Sequence, residues 1–394
     1  MQQLEVLEKT HFLEAKFGER STFHPACQGG SLRAAARAAN GAGGERKVAE
    51  AAVAGSAHPA SAMGSPWDVP LPGSVLDGAA NRVDRLAKYI YKHGDARAKM
   101  RAMLCHIFHF ALHDQFHEAR DMLLMSHIMD NITTTDISTQ VLFNRVMAQL
   151  GICAFRAGMI EEAHECLVEL CRTGGAKELL AQGVSYRRHG DSADEQKEEK
   201  RRMLPYHMHI NLDLIEVVHL TSAMLMEVPY MAAMGGGTDP KQAKYSKTFR
   251  IKYDTFEHTL YVGPPEHFRD HIMHAAKHLF QGDWAQCCEM LLPLEAWKLM
   301  PNKVDEVKAM LRNTIKEETL RTYILAYGNH YDSISWDTLM SMFDLEENRV
   351  HAIISKMMFS KRLLGSWDQT TRSIVLLKVR GEETEEVCWV RCAV

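Results

Sequence analysis

The sequence predicts a mostly α protein, a tetratricopeptide-like, right-handed stack of helical repeats that ends in a winged helix. Three observations predict it. Helical periodicity runs from about residue 81 to about 330; three segments repeat one helix–turn–helix pattern; and 333–377 reads as helix, tight turn, helix and two-stranded ribbon.

The repeated segments are 107-IFHFALHDQFHEARDMLL-124, 151-GICAFRAGMIEEAHECLV-168 and 275-AAKHLFQGDWAQCCEMLL-292. In each, a large apolar residue (Phe116, Ile160, Trp284) is followed three positions on by a small one (Ala119, Ala163, Cys287) and seven on by a leucine (Leu123, Leu167, Leu291). The small residue lets the second helix lie close on the first. Asp114, Gly158 and Gly282, two positions before the large residue, suit a left-handed turn between paired helices. The spacing between segments is irregular, so an irregular stack is expected rather than a strict array. Between them, 208-MHINLDLIEVVHLTSAMLMEV-228 is apolar on most sides and should be deeply packed, with Pro229 closing it. A long helix at 303–327 carries an apolar stripe into the winged helix.

In the winged helix, Ser335 is placed as N-cap of a helix from Trp336 to Phe343. Asp344-Leu345 forms the turn, and Glu346 to about Ser360 the second helix. The ribbon is Leu363–Trp367 returning at Ser373–Leu377. A DNA-reading helix offers Arg, Lys, Asn or Gln at its N-terminus. This one begins Glu346-Glu347, so docking to protein is favoured over reading DNA. The strand 374–376 lacks alternation and is expected at a sheet edge, open to another protein's strand. Trp367, Ile374, Val375 and Leu376 are the candidate partner contacts. The candidate RNA contacts are Lys241, Lys244, Lys247, Arg250 and Lys252, because Tyr245, Phe249 and Tyr253 are interleaved with them.

Other chemistry is thin. The net charge of −4 over 394 residues does not suit a chain that lives by phosphate contacts alone. No apolar run is long enough to span a bilayer, and the first twenty residues lack the apolar region of a signal peptide. The nine cysteines include no C-x-x-C pair and read as reduced, packed thiols. No phosphate loop or His-Glu-x-x-His occurs. His207-Met208-His209 resembles the start of a metal-dependent isopeptidase site but lacks its remaining ligands. His106, His109, His113 and His117, like His267, His271, His274 and His278, lack the acidic or thiolate ligands that would close a zinc site. No catalytic residue, cofactor, metal or small-molecule substrate is expected.

A helical stack running into a terminal winged helix resembles the PCI-domain family, the scaffold subunits of the proteasome lid, the COP9 signalosome and eukaryotic translation initiation factor 3. Within it, 203-MLPYHMHINLDLIEVVHLTSAMLMEVPYMAA-233, 120-RDMLLMSHIMDNI-132, 149-QLGICAFRAG-158, 176-AKELLAQG-183, 263-GPPE-266 and 331-YDSISWDTLMSMFDL-345 resemble the c-subunit family of that initiation factor. The resemblance implies a non-catalytic cytoplasmic scaffold that meets other subunits, especially the a subunit through PCI–PCI contact, and the small ribosomal subunit and its RNA. A lid or signalosome scaffold, or a winged-helix nucleic-acid-binding regulator, are the alternatives. The expected organisation is a disordered or atypical extension (1–80), helical repeats (81–185), a charged linker or exposed helix (186–204), the helical part of the PCI domain (205–330), a winged helix (331–380) and a tail (381–394). The Ala/Gly-rich segment 27–80 and the ending after Val379 depart from the family, so functions carried by the family's own ends are not expected here.

Overall fold

The computed structural model describes residues 75–172, 175–183, 200–259, 263–300 and 303–377. The expectations for 1–74, for most of 186–204 and for 381–394 lie outside them. The chain divides into two compact units, Met1–Ala102 and Met103–Val394. In the first, helix α1 (Val75–His93) buries Ile90, which with Ala102 and the half-buried Tyr91 and Ala98 forms a small apolar cluster.

The larger unit carries the stack. Its helices are α2 (Ala96–Leu112, from residue 103 on), α3 (Phe116–Met125), α4 (Ile137–Arg156), α5 (Ile160–Arg172), α6 (Leu212–Ala233), α7 (Lys247–Glu257), α8 (Phe268–Gln281), α9 (Trp284–Leu291) and α10 (Val304–Tyr327). The repeat logic is borne out at atomic level. Asp114, Gly158 and Gly282 all take left-handed backbone, at φ +60°, +81° and +88°. Ala119, Ala163 and Cys287 are fully buried where paired helices cross, and Leu123, Leu167 and Leu291 are buried one turn further on. Gly151 serves the same closeness on the facing helix, because a Cβ there would meet Leu167 Cγ at 2.6 Å.

Helix α6 is the hub, packed against α5, α8 and α10. Its burial on most sides follows from a sequence with no polar face. Asn211 caps it by accepting from the amides of Asp213 and Leu214. The expectation that Pro229 ends it is wrong. Pro229 lies within the helix, which continues to Ala233. The buried surroundings of Val228, Met231 and Ala232 hold the last turn, so packing offsets the missing backbone hydrogen bond.

The winged helix comprises β1 (Ser333–Ser335), α11 (Trp336–Phe343), α12 (Glu347–Phe359), β2 (Gly365–Asp368) and β3 (Ser373–Leu376). Ser335 caps α11 as expected, accepting from the Thr338 amide at 3.3 Å. Asp344, at φ +49°, makes the turn into α12. Its core (Leu339, Phe343, Val350, Ile353, Ile354, Met357, Leu363, Ile374, Leu376) also contains Leu320 and Ile324 of α10. One helix therefore belongs to two layers.

Candidate protein-docking site

The sheet order is β1–β3–β2, both pairings antiparallel. This corrects the expectation that 374–376 forms an edge. The strand is central, with hydrogen-bonding partners on both sides. Ile374 and Leu376 face the core. The row Ile334, Ile374 and Trp367 shares their inner face, while Ser333, Val375 and Ser366 form the outer one. Trp367 is half-buried against α11 and α12. Its ring stacks on His351 of α12 at 4.6 Å, meets Trp336 edge-on at 5.1 Å, and donates from Nε1 to Ser355 Oγ at 3.2 Å. Of the four candidate contacts, only Val375 is open on the sheet surface. Among the described residues the sheet's edge strands are β1 and β2, and Phe359, at the end of α12, is 91% exposed.

The N-terminal end of α12, where a DNA reader would place its probe, is turned to the helical stack. Arg349 Nε donates to Glu317 of α10 at 2.6 Å. Lys316 Nζ reaches Asp344 Oδ2 at 2.5 Å and its carbonyl at 3.2 Å, and lies 4.6 Å from the Trp284 ring. Trp284 Nε1 in turn donates to the Met342 carbonyl. Between stack and winged helix lies a cleft of about 1020 Å³, lined by cations (Arg349, Lys356, Arg362) and carboxylates (Glu161, Glu162, Glu317). Burial raises the carboxyl of Glu318 on its wall above the usual range, although Arg321 bonds to it and pulls the other way.

The basic stretch proposed for RNA is largely taken up by the fold. Arg250 is fully buried, its Nε 2.6 Å from Glu227, which is also fully buried. Glu227 accepts besides from the amides of Lys244, Tyr245 and Ser246, while Arg250 Nη1 bonds the Gly237 and Asp239 carbonyls. One ion pair thus fastens the whole 237–246 loop to α6. Phe249 and Tyr253 are buried and offer no ring to a base. Lys252 bonds Glu216, which also binds Arg269. Burial alone would raise the Glu216 carboxyl; these two cations more than compensate and hold it low. Lys244 lies over the rings of Tyr230 and Tyr245, leaving Lys241 and Lys247 as the exposed candidates without these ties. Sequence reasoning missed Glu227. The signal was present: a carboxylate inside an apolar helix requires a buried partner.

Burial pushes three of the thiols up, Cys153 to about 11 and Cys166 and Cys171 to about 12, so none of these three is poised as a nucleophile. Among the described residues no group of three or more His, Cys, Asp or Glu could hold a metal. His209 Nε2 instead bonds the Leu204 carbonyl, and His267 caps α8 with Asp270.

Residues 294–378, which include α10 and the winged helix, match the PCI domain. Fold and match together define the class of this part of the chain: it is a PCI domain. Residues 53–237 match a second family, described as eukaryotic translation initiation factor 3 subunit 8 N-terminus. The chain is correspondingly similar to proteins named as the C subunit of eukaryotic translation initiation factor 3. It is 46% identical to that of Botryotinia fuckeliana over 309 residues, 78% of this chain and 35% of the relative. The identity to the Coccidioides immitis protein is also 46%, over 297 residues, 75% of this chain and 34% of the relative. The chain spans about a third of the length of these curated relatives.

Proposed function

We propose that this chain is a non-catalytic scaffold subunit of eukaryotic translation initiation factor 3, acting in the cytoplasm. It docks to other PCI subunits, the a subunit among them, and to the small ribosomal subunit during initiation. The observation that carries the reading is the union of the PCI architecture, matched over 294–378, with the initiation-factor family matched over 53–237. The winged helix supports protein docking over DNA reading, because the N-terminal end of α12 is acidic and tied to α10. The docking surface is the outer sheet face around Val375, the β2 edge and the exposed Phe359. A short edge strand beside large apolar side chains suits strand addition by a second protein.

The test is a pull-down of the tagged full chain from eukaryotic cytosolic extract, with a Phe359→Asp, Val375→Asp variant beside it. Recovery of initiation-factor subunits by the parent, and their loss from the variant, is the expected result. Recovery of proteasome-lid or signalosome subunits instead would overturn the assignment within the PCI class. Equal capture by both proteins would overturn the docking surface.

A further inference from the structure

Phe249 and Tyr253 are packed away, but another basic segment presents an exposed ring, Tyr206, tilted against the His209 ring at 5.4 Å. Residues 200–202 (Lys-Arg-Arg) form a short helical piece, followed by Met203-Leu204-Pro205 and a tight turn at Tyr206–Met208. Tyr206 is 89% exposed, the most exposed tyrosine among the described residues, and Met203 beside it is 40% exposed.

The turn is held rigidly. The Leu204 amide donates to the Ala181 carbonyl at 2.9 Å, and the Leu204 carbonyl meets His209 Nε2 at 2.9 Å. Arg145 Nη2 reaches across from α4 to the Met208 carbonyl at 3.2 Å. The bond to Ala181 joins the segment to the 177–183 turn. Lys177 lies over that turn, so close that a Cβ on Gly183 would come within 2.2 Å of its Cε. Lys177, Lys200 and Arg201 are all exposed. The main chain that carries the ring is already ordered, so binding need not order it.

We propose that Tyr206, with Lys177, Lys200 and Arg201, is a contact for single-stranded RNA, the ring stacking on a base and the cations holding adjacent phosphates. An exposed ring, with exposed cations on its own segment and on the turn bonded to it, suits this better than a protein hot spot, which sits inside continuous apolar surface. Pairing one ring with several cations also gives affinity without sequence preference. The site deepens the ribosome-facing half of the proposed function. It is tested with RNA alone, so either can fail without the other.

The test is fluorescence anisotropy of a labelled twelve-nucleotide uridine RNA with the full chain, at several salt concentrations. Tyr206→Ala should weaken binding about tenfold, the loss of one stacked base. Tyr206→Phe, which keeps the ring face, should bind within about twofold of the parent. Changing Lys177, Lys200 and Arg201 together to Gln should flatten the slope of log affinity against log salt by about 2, three phosphates at roughly 0.7 each. A purely structural role for these side chains would not move that slope. No RNA binding by the parent at low salt overturns the proposal. So does RNA binding unchanged in Tyr206→Ala, including the case where that variant loses a protein partner instead.

Discussion

Glu227 and Arg250 show how far one buried pair can organise a chain. The carboxylate collects three loop amides and a guanidinium, and the guanidinium collects two loop carbonyls. Arg250→Met should therefore cost roughly 3–5 kcal/mol, because it leaves an uncompensated carboxylate in the interior. Urea unfolding followed by helical circular dichroism measures it, with exposed Lys247→Gln as a control expected within about 0.5 kcal/mol. A second residue-scale prediction concerns His164 and His219, both buried, with rings stacked 5.1 Å apart across α5 and α6. Burial lowers both below the ordinary histidine value, His219 to about 3, with charge repulsion between the two adding to the effect on His219. In the unfolded chain they protonate near 6.5. The stability they contribute is present above that pH and falls as the solution is acidified, by up to about 1.4 kcal/mol per pH unit for each ring. Melting temperatures from pH 7.5 to 5 should fall steeply, and less so in His219→Leu.

At the scale of elements, the turns decide which helices meet. Gly158 and Gly282 close their hairpins in left-handed backbone, which a Cβ disfavours. Gly158→Ala should cost about 1–2 kcal/mol in denaturant midpoint experiments, although the nearest side chain, Met310, leaves space for the methyl at 3.4 Å. Asp114 holds the same backbone shape without being glycine, and ion pairs with Arg156 and Lys303, both at 2.9 Å, accompany it. These turns were legible in the sequence because a left-handed position leaves a signature in residue type. The order of the strands was not. An apolar run such as Ile374-Val375-Leu376 is equally consistent with an edge covered by a partner and with a centre covered by its own neighbours, and only the sheet distinguishes them. The burial of Phe249, Arg250 and Tyr253 was hidden for a related reason. Basic and aromatic residues alternate in the same way along an exposed strip and along the helix α7, whose inner face takes Phe249, Arg250 and Tyr253. Pro229 was misread because the cost of proline in a helix is local, whereas the compensation comes from packing around it.

At the scale of the molecule, the winged helix is not a module appended to the stack. Leu320 and Ile324 of α10 are part of its core. Cutting the chain before β1 should therefore expose a wide apolar face on α10 and yield aggregate rather than a soluble stack, as gel filtration of the truncated chain would show. The fold class could be read from the helical periodicity, the repeated segments and the outline of 333–377, but not that Leu320 and Ile324 join the winged-helix core. Nor could the ties that fix the angle between stack and winged helix, since Lys316, Trp284, Asp344 and Arg349 are far apart in sequence and ordinary in type.

That continuity has a consequence for assembly. Helix α10 is 24 residues long, about 36 Å, and lies between two anchored ends. Lys303 beside its start grips Asp114 in the first repeat of this unit, and its last turns are embedded under the wing. The helix works as a strut, holding the surfaces at its two ends a fixed distance apart. A neighbour that grips both finds the second grip already in register after making the first, so the spacing itself discriminates among neighbours of different size.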